Sequence, residues 1–176
     1  MKESAILWYA LRVTYSREVT FKQYLDKIGI ENFIPMHYTL SVIKGKRYKK
    51  LVPAIHNLIF VRAAKNRIDD IKRRTEDRTP VRYIFDKSTR LPVVVPCKQM
   101  EYFIAVSENY EEPIVYLDTS GLKKGDRVRI TGGPFRGIEG EFMRIRGDRR
   151  VVVNIEGVMA VATTFIHPSM IKRINE

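Results

Sequence analysis

The sequence predicts an α+β protein built in two parts, an α/β sandwich over residues 1–108 and a small β-barrel over residues 121–176. Three observations predict it. Up to residue 108, segments with strand alternation are interleaved with segments of helical periodicity, the pattern of strands and helices packed in layers. Residues 109–120, NYEEPIVYLDTS, carry Glu111-Glu112-Pro113 and no helical period, and read as an interdomain linker. Beyond residue 120 only strand-like segments remain, separated by glycine-bearing turns.

The elements of the first part follow in order. The run ILWYALRV, residues 6–13, is nearly continuously apolar, as expected of a strand at the centre of a covered sheet. Ser16 is the expected N-cap of a helix, with Glu18 in its first turn favoured by the helix dipole. Phe21, Leu25 and Ile28 then form the apolar stripe, with Tyr24 alongside, and Gly29 ends it. NFIP at 32–35 is a short strand. Residues 38–51 form a hairpin with Lys44-Gly45-Lys46 at its tip. NLIFVR at 57–62 is a further strand, and residues 67–75 a helix with Ile68 and Ile71 facing inward. Strands at 81–85 and 91–95 flank a turn at 86–89. Residues 98–107 form a helix with Met100, Phe103 and Ile104 on one face.

In the second part, strands are expected at 127–130, 141–146, 151–155 and 160–165, with turns at Gly147-Asp148 and Glu156-Gly157. Val151-Val152-Val153 is β-branched and resists helix. The linker's apolar residues Ile114–Leu117 suggest that part of it docks on a domain.

Composition narrows the function classes. The net charge of +12 is unevenly spread. Residues 1–110 hold 21 Lys/Arg against 11 Asp/Glu, residues 111–118 three acids and no base, and residues 119–176 eleven bases and six acids. Such a balance points to polyanionic partners, either nucleic acid or an acidic protein surface. Cys97 is the sole cysteine, which fits a reducing cytoplasm and permits neither an internal disulfide nor a cysteine zinc site. No run of eighteen apolar residues indicates a membrane span, and Met1-Lys2-Glu3-Ser4 leads into a strand without a signal-peptide layout. His37, His56 and His167 are scattered. No paired acid and base, metal-ligand cluster or phosphate-binding glycine loop is present, so neither an enzyme nor a bound cofactor or metal is expected. Gly132-Gly133 lacks the lysine that would follow in a P-loop.

The most specific segment is residues 123–140, KKGDRVRITGGPFRGIEG. Arg127–Ile130 alternates polar and apolar, Gly132-Gly133-Pro134 forces a tight turn, Phe135 is placed to cap a small core, and Gly137 and Gly140 allow sharp bending. This pattern resembles a KOW motif, the signature of SH3-like barrels in NusG-type transcription factors and some ribosomal proteins. The first part in turn resembles the NusG N-terminal domain, through Trp8-Tyr9, the hairpin leading to Pro53, Asn57-Leu58-Ile59-Phe60-Val61, and the closing strand Val93–Pro96. TYSRE at 14–18, FIPM at 33–36 and LVPAIHNLIFV at 51–61 look most like the UpxY-like antiterminators of capsular polysaccharide operons in Bacteroides-type bacteria; RfaH-type paralogues are a second comparison.

The resemblance implies a non-enzymatic, cytoplasmic, monomeric elongation factor. Its N-terminal domain would dock an apolar patch on the clamp helices of RNA polymerase and suppress pausing or termination. The positions matching that patch are Arg12, Leu58, Phe60, Tyr83 and Phe85, expected as an exposed aromatic face. Arg12 stands where RfaH is aromatic, Leu58 where the family has tyrosine, and His56 replaces a proline. Nucleic-acid contact, to non-template DNA or nascent RNA, is expected from Lys44, Lys46, Arg47, Lys49 and Lys50 at the hairpin, from Arg73 and Arg74 on the second helix, and from Tyr15 beside Arg17. Within that helix Asp69–Arg73 and Asp70–Arg74 are spaced to pair. The loop that in NusG carries Phe and Arg to meet Rho or the ribosomal protein NusE corresponds to Glu156, Val158 and Met159. Glu156 replaces the aromatic and Val158 the arginine. Housekeeping NusG and a ribosome-associated KOW RNA-binding protein are the alternatives.

Overall fold

The computed structural model describes residues 5–120 and 122–174. The reading of residues 1–4, and Gly121, lie outside them. The chain divides into two compact units, Met1–Cys97 and Lys98–Glu176. This division falls before the third helix, whereas the sequence reading sets its boundary after residue 108.

The first unit is a mixed α/β layer structure. Strands β1 (Ile6–Val13), β2 (Glu31–Phe33), β5 (Leu58–Ala64) and β6 (Val81–Tyr83) lie in the order β2-β5-β1-β6, all antiparallel, and the two-residue β7 (Val94–Val95) also pairs with β1. Helices α1 (Glu18–Lys27) and α2 (Lys65–Thr75) cover one face. The core on that side joins Tyr9, Leu11 and Val13 of β1, Ile59, Val61 and Ala63 of β5, and Val81 and Tyr83 of β6 to Phe21 and Leu25 of α1 and Ile68 and Ile71 of α2. Leu25, Ile59 and Val13 are fully buried. The register puts Trp8, Ala10, Arg12, Leu58 and Phe60 on the opposite face, with Phe33 opposite Phe60.

Two expectations at α1 change. Ser16 is not its cap: the helix begins at Glu18, with no side-chain cap on its first turn. A 3-10 turn at Thr14–Ser16 precedes it, with Tyr15 and Ser16 at φ of 59° and 51°. The Ser16 N–H instead donates to Asn57 Oδ1 at 2.8 Å. Gly29 does end the helix, at φ 71°, its N–H donating to the Asp26 carbonyl.

Strands β3 (Met36–Ile43) and β4 (Lys46–Pro53) form a separate two-stranded ribbon. Lys44 and Gly45 make its turn with φ of 50° and 75°, the paired positive angles that match the twist of a two-residue hairpin. Ile34 and Met36 root its base in the helix-side core.

The second unit holds α3 (Cys97–Ser107, from Lys98) and a six-stranded antiparallel sheet. Its strands are β8 (Val115–Leu117), β9 (Asp126–Ile130), β10 (Glu139–Ile145), β11 (Asp148–Ile155), β12 (Met159–Ala162) and β13 (Ile171–Arg173), in the order β13-β9-β10-β11-β12-β8. This is the KOW-like β domain of the expected fold. Residues 109–120 are thus not wholly a linker, because Val115–Leu117 completes the sheet beside β12. Buried Arg150 anchors the approach to that strand, donating to the carbonyls of Pro113 at 3.0 Å and Thr163 at 2.8 Å. Burial pushes the Tyr116 hydroxyl up to about 12, against a hydrogen bond with Ser107 that lowers it. Phe135 is buried as its place in the motif requires. Gly140 is needed for close approach: a Cβ there would sit 2.5 Å from the Val152 carbonyl oxygen.

Candidate polymerase and nucleic-acid surfaces

The five residues that resemblance places on polymerase do not share one exposed face. Tyr83 pairs with Leu11 across β1 and β6, so its ring points to the helices, whereas Leu58, opposite Arg12, and Phe60, opposite Ala10, point the other way. Leu58, Phe60 and Tyr83 are all buried. Tyr83 is bound into the helix side by several contacts. Its ring lies 5.6 Å from that of Tyr9, Lys72 Nζ sits 4.5 Å from its centroid, and its hydroxyl donates to Asp69 Oδ1 at 2.9 Å. Burial, then the Asp69 carboxylate, pushes the Tyr83 hydroxyl well above its ordinary value, so it stays a neutral donor. Burial works against the Asp69 carboxylate, but hydrogen bonds from Lys65 and Tyr83 outweigh it and hold its pKa below the usual value.

Arg12 and Phe85 are the exposed members of the set. Phe85 is 54% exposed, on a bridge to Pro92, with its ring 6.4 Å from Tyr83. Arg12 stands directly opposite Arg82, which is exposed as well. Among the described residues neither guanidinium forms an ion pair. Like charges directly opposite one another destabilise a sheet, so this pair favours an acidic partner.

The hairpin bases are arranged on both faces of the ribbon. The register sets Arg47 opposite Val42 and Lys49 opposite Leu40, on the face that also holds Tyr38 and Leu51. Lys46 opposite Ile43 and Lys50 opposite Thr39 share the other face with Tyr48. All five bases, Lys44 included, are exposed and form no ion pair among the described residues. Leu40 and Val42 are 70% and 65% exposed, an apolar strip unusual in an unsupported ribbon.

On α2 the expected pairs are replaced. Asp69 bonds Lys65 at 2.9 Å and Asp70 bonds Arg73, while Arg74 is exposed and has no ion pair among the described residues. The preference follows from geometry: Tyr83 fixes Asp69 on the side of Lys65, one turn back.

Tyr15 and Arg17 do come together, with the guanidinium carbon 5.7 Å from the ring centroid. Arg17 also donates to the Arg78 carbonyl beyond the end of α2. Arg17 and Arg78 edge a cavity of ≈380 Å³ that Thr20, Phe21, Tyr24, Thr75 and Thr79 also line. Its polar and aromatic lining suits a base with its phosphate. Sequence reasoning missed Thr20, Tyr24 and Arg78. The Arg17, Thr20, Tyr24 spacing on one helical face was a usable signal, but no local pattern brings Arg78 to them.

In the second unit Glu156 and Gly157 form the exposed turn between β11 and β12, closed by the Val158 N–H donating to the Ile155 carbonyl at 3.0 Å. Met159 is not part of the accessible loop; it opens β12 opposite Ile155 and is fully buried. Among the described residues no cluster of His, Cys, Asp and Glu could hold a metal ion, and no helix is long and apolar enough to cross a membrane.

A family model described as "Transcription termination factor nusG" matches residues 7–104, more than half of the chain. The chain belongs to the NusG family. NusG-family proteins are transcription factors that bind RNA polymerase. The chain is also 29% identical to the transcription elongation factor Spt5 of Pyrococcus furiosus over 159 residues, 89% of this chain and 86% of that protein. A solved structure, "Domain interaction in Thermotoga maritima NusG", aligns over 97% of this chain and 98% of that one at 22% identity, with a TM-score of 0.46.

Proposed function

We propose that this NusG-family protein is an operon-specific elongation and antitermination factor of the UpxY-like kind, serving a polysaccharide biosynthesis operon. It binds the clamp helices of RNA polymerase and suppresses pausing or termination. The observation that carries the specialised reading is the β11–β12 turn. Exposed Glu156 and the aliphatic Val158 stand where the housekeeping factor presents an aromatic and a cation. An acid entering an apolar partner pocket is desolvated without a paired charge. Rho and NusE contacts are therefore expected to be lost or weak.

The polymerase contact is assigned to the exposed members of the set, Arg12 with Arg82 opposite it, and Phe85 beside Tyr83. Leu58 and Phe60 are buried on the sheet face of Arg12, and Tyr83 backs Phe85 on the other. Recruitment uses nucleic acid: the Tyr15–Arg17 corner and its cavity take an unpaired base of the non-template strand, while the hairpin bases and Arg74 meet phosphates. Protein of this sequence, tagged in its host, should retain RNA polymerase and a restricted set of transcripts. Recovery of polymerase with transcripts from the whole genome would favour the housekeeping reading, and recovery of ribosomes without polymerase the ribosome-associated one.

A further inference from the structure

One end of the β sheet in the second unit carries a feature that neither the polymerase contact nor the β11–β12 turn uses. Arg144 of β10 stands directly opposite Arg149 of β11. Both are exposed, and among the described residues neither guanidinium has an ion pair or side-chain hydrogen bond. Asp148, the acid next to them in sequence, is engaged by Arg150 at 3.0 Å. Arg146, exposed at φ 50°, makes the turn between the strands. An unrelieved like-charge pair weakens the hairpin that carries it.

The same two arginines line a cavity of ≈500 Å³ whose floor is Val128, Phe142 and Ile171. Phe142 is two register steps inward from the arginine pair and so on the same face, opposite Val151, and only partly buried. Arg173 is on the rim too, but Asp126 holds it at 2.9 Å. Asp126 is thus the acid that lines the cavity, and it is paired with Arg173.

We propose that this cavity is a binding site for single-stranded nucleic acid, taking one base on Phe142 and the flanking phosphates on Arg144 and Arg149. An aromatic floor with flanking guanidiniums is the chemistry that holds unpaired bases irrespective of sequence. The planar guanidinium matches a phosphate bidentately. An acidic peptide would satisfy the arginines but leave the aromatic floor unused. The site stands independently of where the first unit docks, and gives the chain a second grip on single-stranded nucleic acid.

Labelled 12-nucleotide oligouridylate and oligothymidylate, titrated against the full chain over a range of salt, separate RNA from DNA as the source. R144Q/R149Q should weaken binding about tenfold and lower the slope of log K against log salt by about 1.4, the release expected for two phosphates of a single strand. Phe142→Leu should weaken it with the slope unchanged. K123Q/K124Q, which removes equal charge elsewhere in the unit, should change binding less than about twofold. Repeating the series with the hairpin neutralised at Lys46, Arg47, Lys49 and Lys50 isolates this site from the first unit. Wild-type binding by R144Q/R149Q, an equal loss in K123Q/K124Q, or equal competition by charge-matched polyglutamate would each overturn the proposal.

Discussion

At the scale of single residues, burial separates anchors from supports. Phe60 is fully buried and Phe85 mostly exposed, so their truncations should fail differently. Phe60→Ala should cost about 3–5 kcal/mol of stability, the range for deleting a core aromatic. Its polymerase binding should fall only in step with the folded fraction. Phe85→Ala should leave Tm near wild type and weaken clamp-helix binding by about 1–3 kcal/mol, as for an interface anchor. Melting and binding measured on the same samples check both. Gly140 gives a third case. Its Cβ would meet the Val152 carbonyl at 2.5 Å and a Val151 methyl at 2.9 Å, both in the β11 backbone or core. Gly140→Ala should cost about 1–3 kcal/mol by overpacking. A melt of that variant showing no loss would mean that the strands can part there.

At the scale of elements, two turns make testable contributions. The turn before Leu91 is built on Asp86, whose Oδ1 accepts from the Thr89 N–H at 2.7 Å, the Ser88 N–H at 3.0 Å and the Ser88 hydroxyl at 2.7 Å. These bonds, the Thr89 backbone first, lower its pKa from 3.8 to about 2. The folded value lies below the unfolded one, so the stabilisation is present above about pH 4 and is lost as pH falls through 2. A carboxyl titration by NMR should place the Asp86 midpoint near 2; a midpoint at an ordinary aspartate value would mean an open turn. The β3–β4 hairpin is the second element. Neutralising Lys46, Arg47, Lys49 and Lys50 should flatten the salt dependence of binding to a paused elongation complex, by about 0.7–0.9 for each phosphate contact removed. An unchanged slope would leave these bases as a solubility feature. The hairpin and the Asp86 turn were both legible in the sequence, because turn chemistry is local: Lys44-Gly45 and Asp86–Thr89 declare themselves within four residues. The face of Tyr83 was not legible. It depends on β6 pairing with β1 across some seventy residues, and one step of register reverses it. The same holds for the cavity joining Arg17 to Arg78, and for β8, whose three residues become a strand only through β12.

At the scale of the whole molecule, the two units carry different chemistry. The family membership rests on the first, and the KOW-like sheet of the second was read from residues 123–140, where the alternation of Arg127–Ile130, Pro134 and Phe135 joins glycines of which Gly133 and Gly137 take the positive φ that other residues rarely adopt. The proposed specialisation rests on the turn at Glu156–Val158 and on the exposed bases of the first unit. The most direct test is single-round transcription with the cognate polymerase on a template carrying a pause and a Rho-dependent terminator, with and without Rho and NusE. The expected result is longer transcripts and greater readthrough when the protein is added, no stimulation of termination by Rho, and no chemical-shift footprint of NusE on Glu156 and Val158. Stimulated Rho termination, or a clear NusE footprint on that turn, would contradict the account and return the protein to the housekeeping role.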